Sequence, residues 1–128
     1  MTYKPNFDKD LRFGEAREDA FVHVLLRSRI EHKSDRQCQS TGNLAIEFEQ
    51  VCRDGQTRGS GIQLTEADRM VFEYADDCWL VVPTGVVKAL ARRAYAQGKH
   101  KWMGDGDNHH CVLIPIERFV HRPPVEAA

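Results

Sequence analysis

Two alternating runs separated by a polar turn restrict what this chain can fold into more than anything else in it. Glu31-His32-Lys33-Ser34-Asp35 leads into a stretch ending Ser40-Thr41-Gly42-Asn43, and then into Leu44-Ala45-Ile46-Glu47-Phe48-Glu49. Alternation of period two marks strands, with neighbouring side chains on opposite faces. Glu31, Lys33 and Asp35 share one face of the first strand, while Leu44, Ile46 and Phe48 form the apolar face of the second. Ala45, Glu47 and Glu49 are left on its other face. The Thr41-Gly42-Asn43 turn predicts that residues 30–35 and 44–50 are adjacent antiparallel strands of a hairpin. If the acidic faces coincide, Glu31, Asp35, Glu47 and Glu49 gather around Lys33. Such a patch repels itself unless a divalent cation neutralises it. Metal-assisted phosphodiester hydrolysis requires that kind of arrangement.

The remaining pattern supplies an order of elements around this pair. Residues 1–13 read as an N-terminal arm, and residues 14–120 as one domain. Ala16, Ala20 and Val24, with Phe21 and Leu25, recur at helical spacing from Gly14 to Arg27. Asp54-Gly55 signals a turn, and Arg58 to Ile62 is a short glycine-rich strand or a close backbone approach. Thr65 and Asp68 resemble a helix start, which predicts a short helix ending near Ala75. Cys78-Trp79-Leu80-Val81-Val82 reads as a strand buried on both faces. Thr84 can cap a helix that Gly98 stops, and a loop over 102–108 leads to a last strand, Cys111 to Ile116. Residues 121–128 read as a mobile tail. The order α-β-β-(β)-α-β-α-β predicts an α/β protein, a mixed sheet with flanking helices.

Length and charge narrow the function classes. A chain of 128 residues with 41% hydrophobic content suits one globular core. No run approaches the roughly 18–20 apolar residues of a membrane span, and Met1-Thr2-Tyr3-Lys4-Pro5 lacks a secretory apolar stretch. A cytoplasmic location with reduced cysteines is therefore expected for Cys38, Cys52, Cys78 and Cys111. Asn108-His109-His110-Cys111 has no regular zinc spacing with the other cysteines. The net charge of −1 hides a segregation: Lys88, Arg92, Arg93, Lys99 and Lys101 occupy a stretch free of acids. Lys88 and Arg92 lie one helical turn apart with Arg93 beside them, a soluble face or a seat for a phosphate backbone.

The motif Ile30-Glu31-His32-Lys33-Ser34-Asp35, with Thr41-Gly42-Asn43-Leu44-Ala45-Ile46-Glu47-Phe48-Glu49, Ser60-Gly61-Ile62 and Thr65-x-Ala67-Asp68, resembles the PD-(D/E)XK nuclease superfamily. More narrowly, it is similar to small phage-type endonucleases and junction-resolving nucleases. The resemblance implies a restriction-endonuclease-like fold over about residues 14–115. It implies Asp35 and Glu47 as metal ligands, and Glu18, within Gly14-x-x-x-Glu18, as a carboxylate offered from the first helix. Glu49 stands where the family's lysine is expected, so Lys33 on the neighbouring strand is the candidate to replace it. In a second register, Glu31-His32-Lys33 is itself the E-x-K element. The implied catalytic set is Glu18, Lys33, Asp35, Glu47 and Glu49, with Lys88, Arg92 and Arg93 on DNA. Hard carboxylate ligands suit Mg²⁺ or Mn²⁺. The implied activity is cleavage of DNA, including branched or structured DNA, by a chain small enough to act as a homodimer. The alternative is a non-catalytic nucleic-acid-binding or assembly module of the same fold. On this sequence basis, removing Asp35 or Glu47 should relieve charge repulsion and leave the protein folded.

Overall fold

The computed structural model describes residues 6–120. Helix α1 (Phe7–Arg27) is followed by β1 (Ile30–Ser34), the short helix α2 (Cys38–Thr41), β2 (Asn43–Val51) and β3 (Thr57–Gly59). A 3-10 turn at Gly61–Gln63 leads to β4 (Arg69–Ala75), β5 (Cys78–Pro83) and α3 (Thr84–Ala96). The described residues end in β6 (His100–Met103), a second 3-10 turn (Asp105–Asp107), β7 (His109–Pro115) and α4 (Glu117–Val120). The fold is mixed α/β, with two sheets ordered β1-β4-β5 and β3-β2-β7-β6. Among the described residues no helix is long and apolar enough to cross a membrane.

The expected hairpin does not form. β1 runs parallel to β4, with Glu31 opposite Met70 and Lys33 opposite Phe72, whereas β2 runs antiparallel to β3 and β7. The cause lies between the runs. The Asp35 carboxylate accepts from the Gln37 and Cys38 backbone N–H groups and starts α2. Gly42, at φ +75°, closes that helix through its N–H to the Cys38 carbonyl. The glycine therefore terminates a helical turn instead of folding two strands together.

The predicted helix over 65–75 is also replaced, by β4. Met70 and Phe72 are buried and their neighbours are not, a period of two that a helix cannot satisfy. Thr65 makes a local turn, its hydroxyl accepting from the Ala67 N–H. The arm extends only to Asn6 within the described residues: the Asn6 side chain caps α1 by accepting from the Lys9 N–H. Part of the 102–108 loop is strand, because β6 pairs with β7. β5 is an edge strand with Cys78 and Trp79 exposed, not one covered on both faces. Pro83, and not Thr84, occupies the N-cap of α3. The tail at 121–128 lies outside the described residues.

Both sheets contribute to one core. Leu44, Ile46, Val112 and Ile114 from the larger sheet meet Met70, Phe72 and Val82 from the smaller one, with Val87 and Ala91 of α3 and Phe119 of α4. Burial at this density supplies the main favourable contribution to folding, about 1.5–3 kcal/mol for each large apolar side chain. Ser60 and Gly61 cross over β2, the Ser60 N–H donating to the Phe48 carbonyl at 3.0 Å. Gly61 has φ +52°, and a Cβ there would lie 2.3 Å from the Glu47 carbonyl oxygen. Left-handed backbone and a clash with unyielding main chain both exclude a side chain. Gly61→Ala is expected to destabilise by about 2–4 kcal/mol, read as a lower urea midpoint with an unchanged slope.

Candidate functional site

β1 and β2 belong to different sheets, yet their ends border one open cavity of about 490 Å³. Lys33 and Asp35 enter its wall from the first sheet, and Ala45, Glu47 and Cys111 from the second. Asp35 joins the sides. Its backbone N–H donates to the Glu73 carbonyl of β4, and its Oδ2 accepts from the Ala45 N–H of β2 at 2.9 Å. Ala45 and Glu47 are two residues apart on one strand, about 7 Å. Asp35, just past the end of β1, and Glu47 of β2 thus line the same space.

Both carboxylates act on the Cys111 thiol. Cys111 is pushed up to about 11, first by burial and then by the negative charges of Glu47 and Asp35, with Lys101 opposing. Cys38 is raised as well, by burial and by Asp35. All four cysteines are free thiols.

Glu49 does not join this cavity. β2 carries a bulge between Glu47 and Glu49, so that Glu47 faces Cys111 while Glu49 faces His110. Adjacent residues of β7 point to opposite faces, and one extra residue in β2 moves Glu49 to the far side of the sheet. There its Oε1 lies 2.6 Å from His110 Nδ1, and His110 Nε2 lies 2.8 Å from His100 Nδ1. The expectation that Glu47 and Glu49 share a face fails for this reason.

Glu47 is itself held by His109 Nδ1 through its Oε1. The His109 ring packs over the backbone of Gly104, where a Cβ would come within 2.7 Å of it. The histidines are the site residues that sequence reasoning missed. Their pairing with the Glu47-Phe48-Glu49 bulge follows from strand register, which alternation alone does not supply.

Glu31 stands behind Lys33. Its Oε1 accepts from Lys33 Nζ at 2.8 Å and its Oε2 from the Thr65 hydroxyl. Burial would raise this carboxyl, but the Lys33 and Thr65 hydrogen bonds and the Lys33 charge outweigh it and hold it below its ordinary 4.5. Glu18 is exposed on α1, none of whose residues is buried, and it does not line the cavity. Lys88 and Arg92 border a second cavity, of about 550 Å³, with Phe48 and Tyr95. Arg93 lies instead beside Leu90, Gln97 and Leu113.

Among the described residues no three His, Cys, Asp or Glu side chains converge as a ligand set. What the cavity offers a cation is the pair Asp35 and Glu47. Glu47 Oε2 has no protein hydrogen bond among the described residues, and the cavity is open on one side. Two hard carboxylates completed by water fit Mg²⁺ or Mn²⁺, ions that retain much of their hydration. Comparison with protein-family models, curated proteins and solved structures gives no match.

The geometry reverses the stability expectation at Asp35. An asparagine there has one acceptor oxygen, and its amide would face a backbone N–H now bound by carboxylate. Asp35→Asn should cost about 1–3 kcal/mol in urea unfolding, whereas Glu47→Gln, whose carbonyl can still accept from His109, should cost less than about 1 kcal/mol. Glu31 gives a pH signature. Its folded-state value is depressed, so its contribution is complete above the unfolded value and is lost as pH falls below 4.5 through the folded one. Unfolding midpoints measured against pH should fall less steeply on the acid side in Glu31→Gln.

Proposed function

We propose that the chain is a divalent-metal-dependent DNA endonuclease of the PD-(D/E)XK type, hydrolysing phosphodiester bonds at the Lys33/Asp35/Glu47 cavity. The observation that carries this reading is the convergence of those residues on one open space from strands of two sheets. The two acids come from the residue that follows β1 and from β2, joined through the short helix α2, not from one hairpin. Glu18 plays no part at this cavity in the conformation described, and Glu49 serves the opposite face of the sheet.

Asp35 and Glu47 would hold Mg²⁺ or Mn²⁺, which supplies charge neutralisation at the scissile phosphate and a more acidic bound water. Lys33 would meet negative charge developing on the phosphate, its ammonium held by Glu31 at 2.8 Å. His109 fixes the Glu47 carboxylate, and three backbone N–H groups fix that of Asp35. Both acids are thus oriented before any ligand arrives, which lowers the ordering cost of binding. Lys88 and Arg92 supply positive charge to a passing backbone, and a second copy of the chain would allow both strands to be cut.

The second reading is a non-catalytic nucleic-acid-binding module. It is favoured by Glu49, which stands at the expected lysine position and is engaged by His110. Activity decides between them. Supercoiled, linear and four-way-junction DNA should be nicked or cut with Mg²⁺ or Mn²⁺, and EDTA should stop the reaction. Lys33→Ala is expected to lower kcat by at least about tenfold with little change in DNA affinity, because it acts on transition-state charge. Replacing Lys88, Arg92 and Arg93 by Ala should weaken binding and flatten its salt dependence by about one unit of slope for each phosphate no longer neutralised. DNA binding without cleavage of any substrate would establish the second reading.

A further inference from the structure

The cavity beside α3 is lined by Phe48, Ile62, Ala91 and Tyr95, with Gln63, Lys88 and Arg92 also on its wall. Its volume of about 550 Å³ lies within the roughly 300–1,000 Å³ of small-ligand sites. Among the described residues no carboxylate lines it. Lys88 and Arg92 are one helical turn apart on α3, so an apolar, aromatic floor is bordered by two cations on one side. An aromatic floor with a cationic border matches a planar base attached to a phosphate.

Tyr95 has an unusual support for a half-exposed ring. The residue is 52% exposed, yet it stacks on His100 at 4.5 Å and 23°, and meets Phe48 edge-on at 5.6 Å. His100 is in turn hydrogen-bonded to His110, and His110 to Glu49. The chain Glu49-His110-His100 therefore braces the aromatic wall from behind. A ring fixed before binding loses little freedom when a flat ligand stacks on it. Ile62 lines both this cavity and the one holding Lys33, Asp35 and Glu47. A strand threaded past Ile62 could place one nucleotide here and present a neighbouring phosphate there.

We infer that this cavity receives one unpaired nucleotide of a DNA strand, its base on Phe48 and Tyr95 and its phosphate on Lys88 and Arg92. The inference deepens the endonuclease reading, since it names the structural feature of the DNA that is selected. It also stands if the protein only binds DNA. Charge complementarity with phosphate and a braced aromatic wall select this occupant over an acidic or purely apolar peptide.

The test is equilibrium binding in EDTA, where no cleavage occurs, so its outcome is independent of catalysis. Three labelled duplexes of equal sequence are compared: fully paired, with one extra adenosine, and with one extra abasic nucleotide. The adenosine bulge should bind about tenfold more tightly than the other two, the effect of one base stacked on an aromatic ring. Tyr95→Leu, folded by circular dichroism, should bring its affinity down to theirs, and Tyr95→Phe should restore it. Equal affinity for the three duplexes overturns the proposal, as does an abasic bulge bound as tightly as adenosine, or a preference that survives Tyr95→Leu. Free dAMP binding as tightly as the bulged duplex makes this a free-nucleotide site and overturns the DNA assignment. A dimer that Tyr95→Leu dissociates assigns the cavity to a second copy and overturns it too. Cleavage without bulge preference would leave the endonuclease reading standing and this one refuted, and bulge preference without cleavage would do the reverse.

Discussion

The Asp35 carboxylate ties together pieces of backbone that no β ladder connects. Its main chain continues the first sheet through Glu73, while its side chain starts α2 and reaches the Ala45 N–H of the second sheet. Charge-assisted hydrogen bonds of this kind are about twice as strong as neutral ones. Without these bonds the β1–α2–β2 connection has no fixed path, and Lys33 and Glu47 have no reason to share a cavity. In the proposed function the same carboxylate would also hold a cation, so architecture and chemistry would draw on the same lone pairs. One of the two on Oδ2 is taken by Ala45, and the other is free for a ligand.

The bulge in β2 is the second determinant, because it divides labour between two acids that sequence places together. Glu47 stays with Cys111 on the cavity side, and Glu49 passes to the aromatic side. The device depends on Ser60 and Gly61 lying across the strand where the ladder is interrupted. Consecutive histidines then serve consecutive faces, His109 orienting one acid and His110 the other. A regular strand would have stacked both carboxylates on one side, with greater repulsion and no support for the Tyr95 wall.

Much of this was legible in the residues, and the failures have specific causes. Local signals held where the structure is local: α3 and its stop at Gly98, the Asp54-Gly55 turn, and the strand character of β1, β2, β5 and β7. Lys33, Asp35 and Glu47 do meet at one cavity, but by another route than a hairpin. Partner choice between strands is a long-range matter, and Thr41-Gly42-Asn43 suits a helix end as well as a hairpin turn. Thr65 and Asp68 imitate a capping box. The buried alternation of Met70 and Phe72 overrides it, and Asp68 instead accepts from the Arg29 N–H at 2.8 Å to dock the start of β1. Glu49 was misplaced because a bulge depends on the crossing segment at Ser60, eleven residues further on.

Helix α1 has a different standing from everything described so far. It runs for 21 residues, about 32 Å, and buries none of them, leaving Phe7, Leu11, Phe13, Phe21 and Leu26 in solvent. Its helicity rests on the Asn6 cap, on Asp8 and Asp10 in the first turn and on Arg27 in the last, each worth at most about 1–2 kcal/mol. In proteins most helical stability comes from packing an amphipathic face rather than from local propensity, and α1 has no such packing. Among the described elements of the monomer, α1 is therefore the one that can open without the core. Its amides would exchange with solvent through that local opening, while those of β2 and β7 wait for the global one.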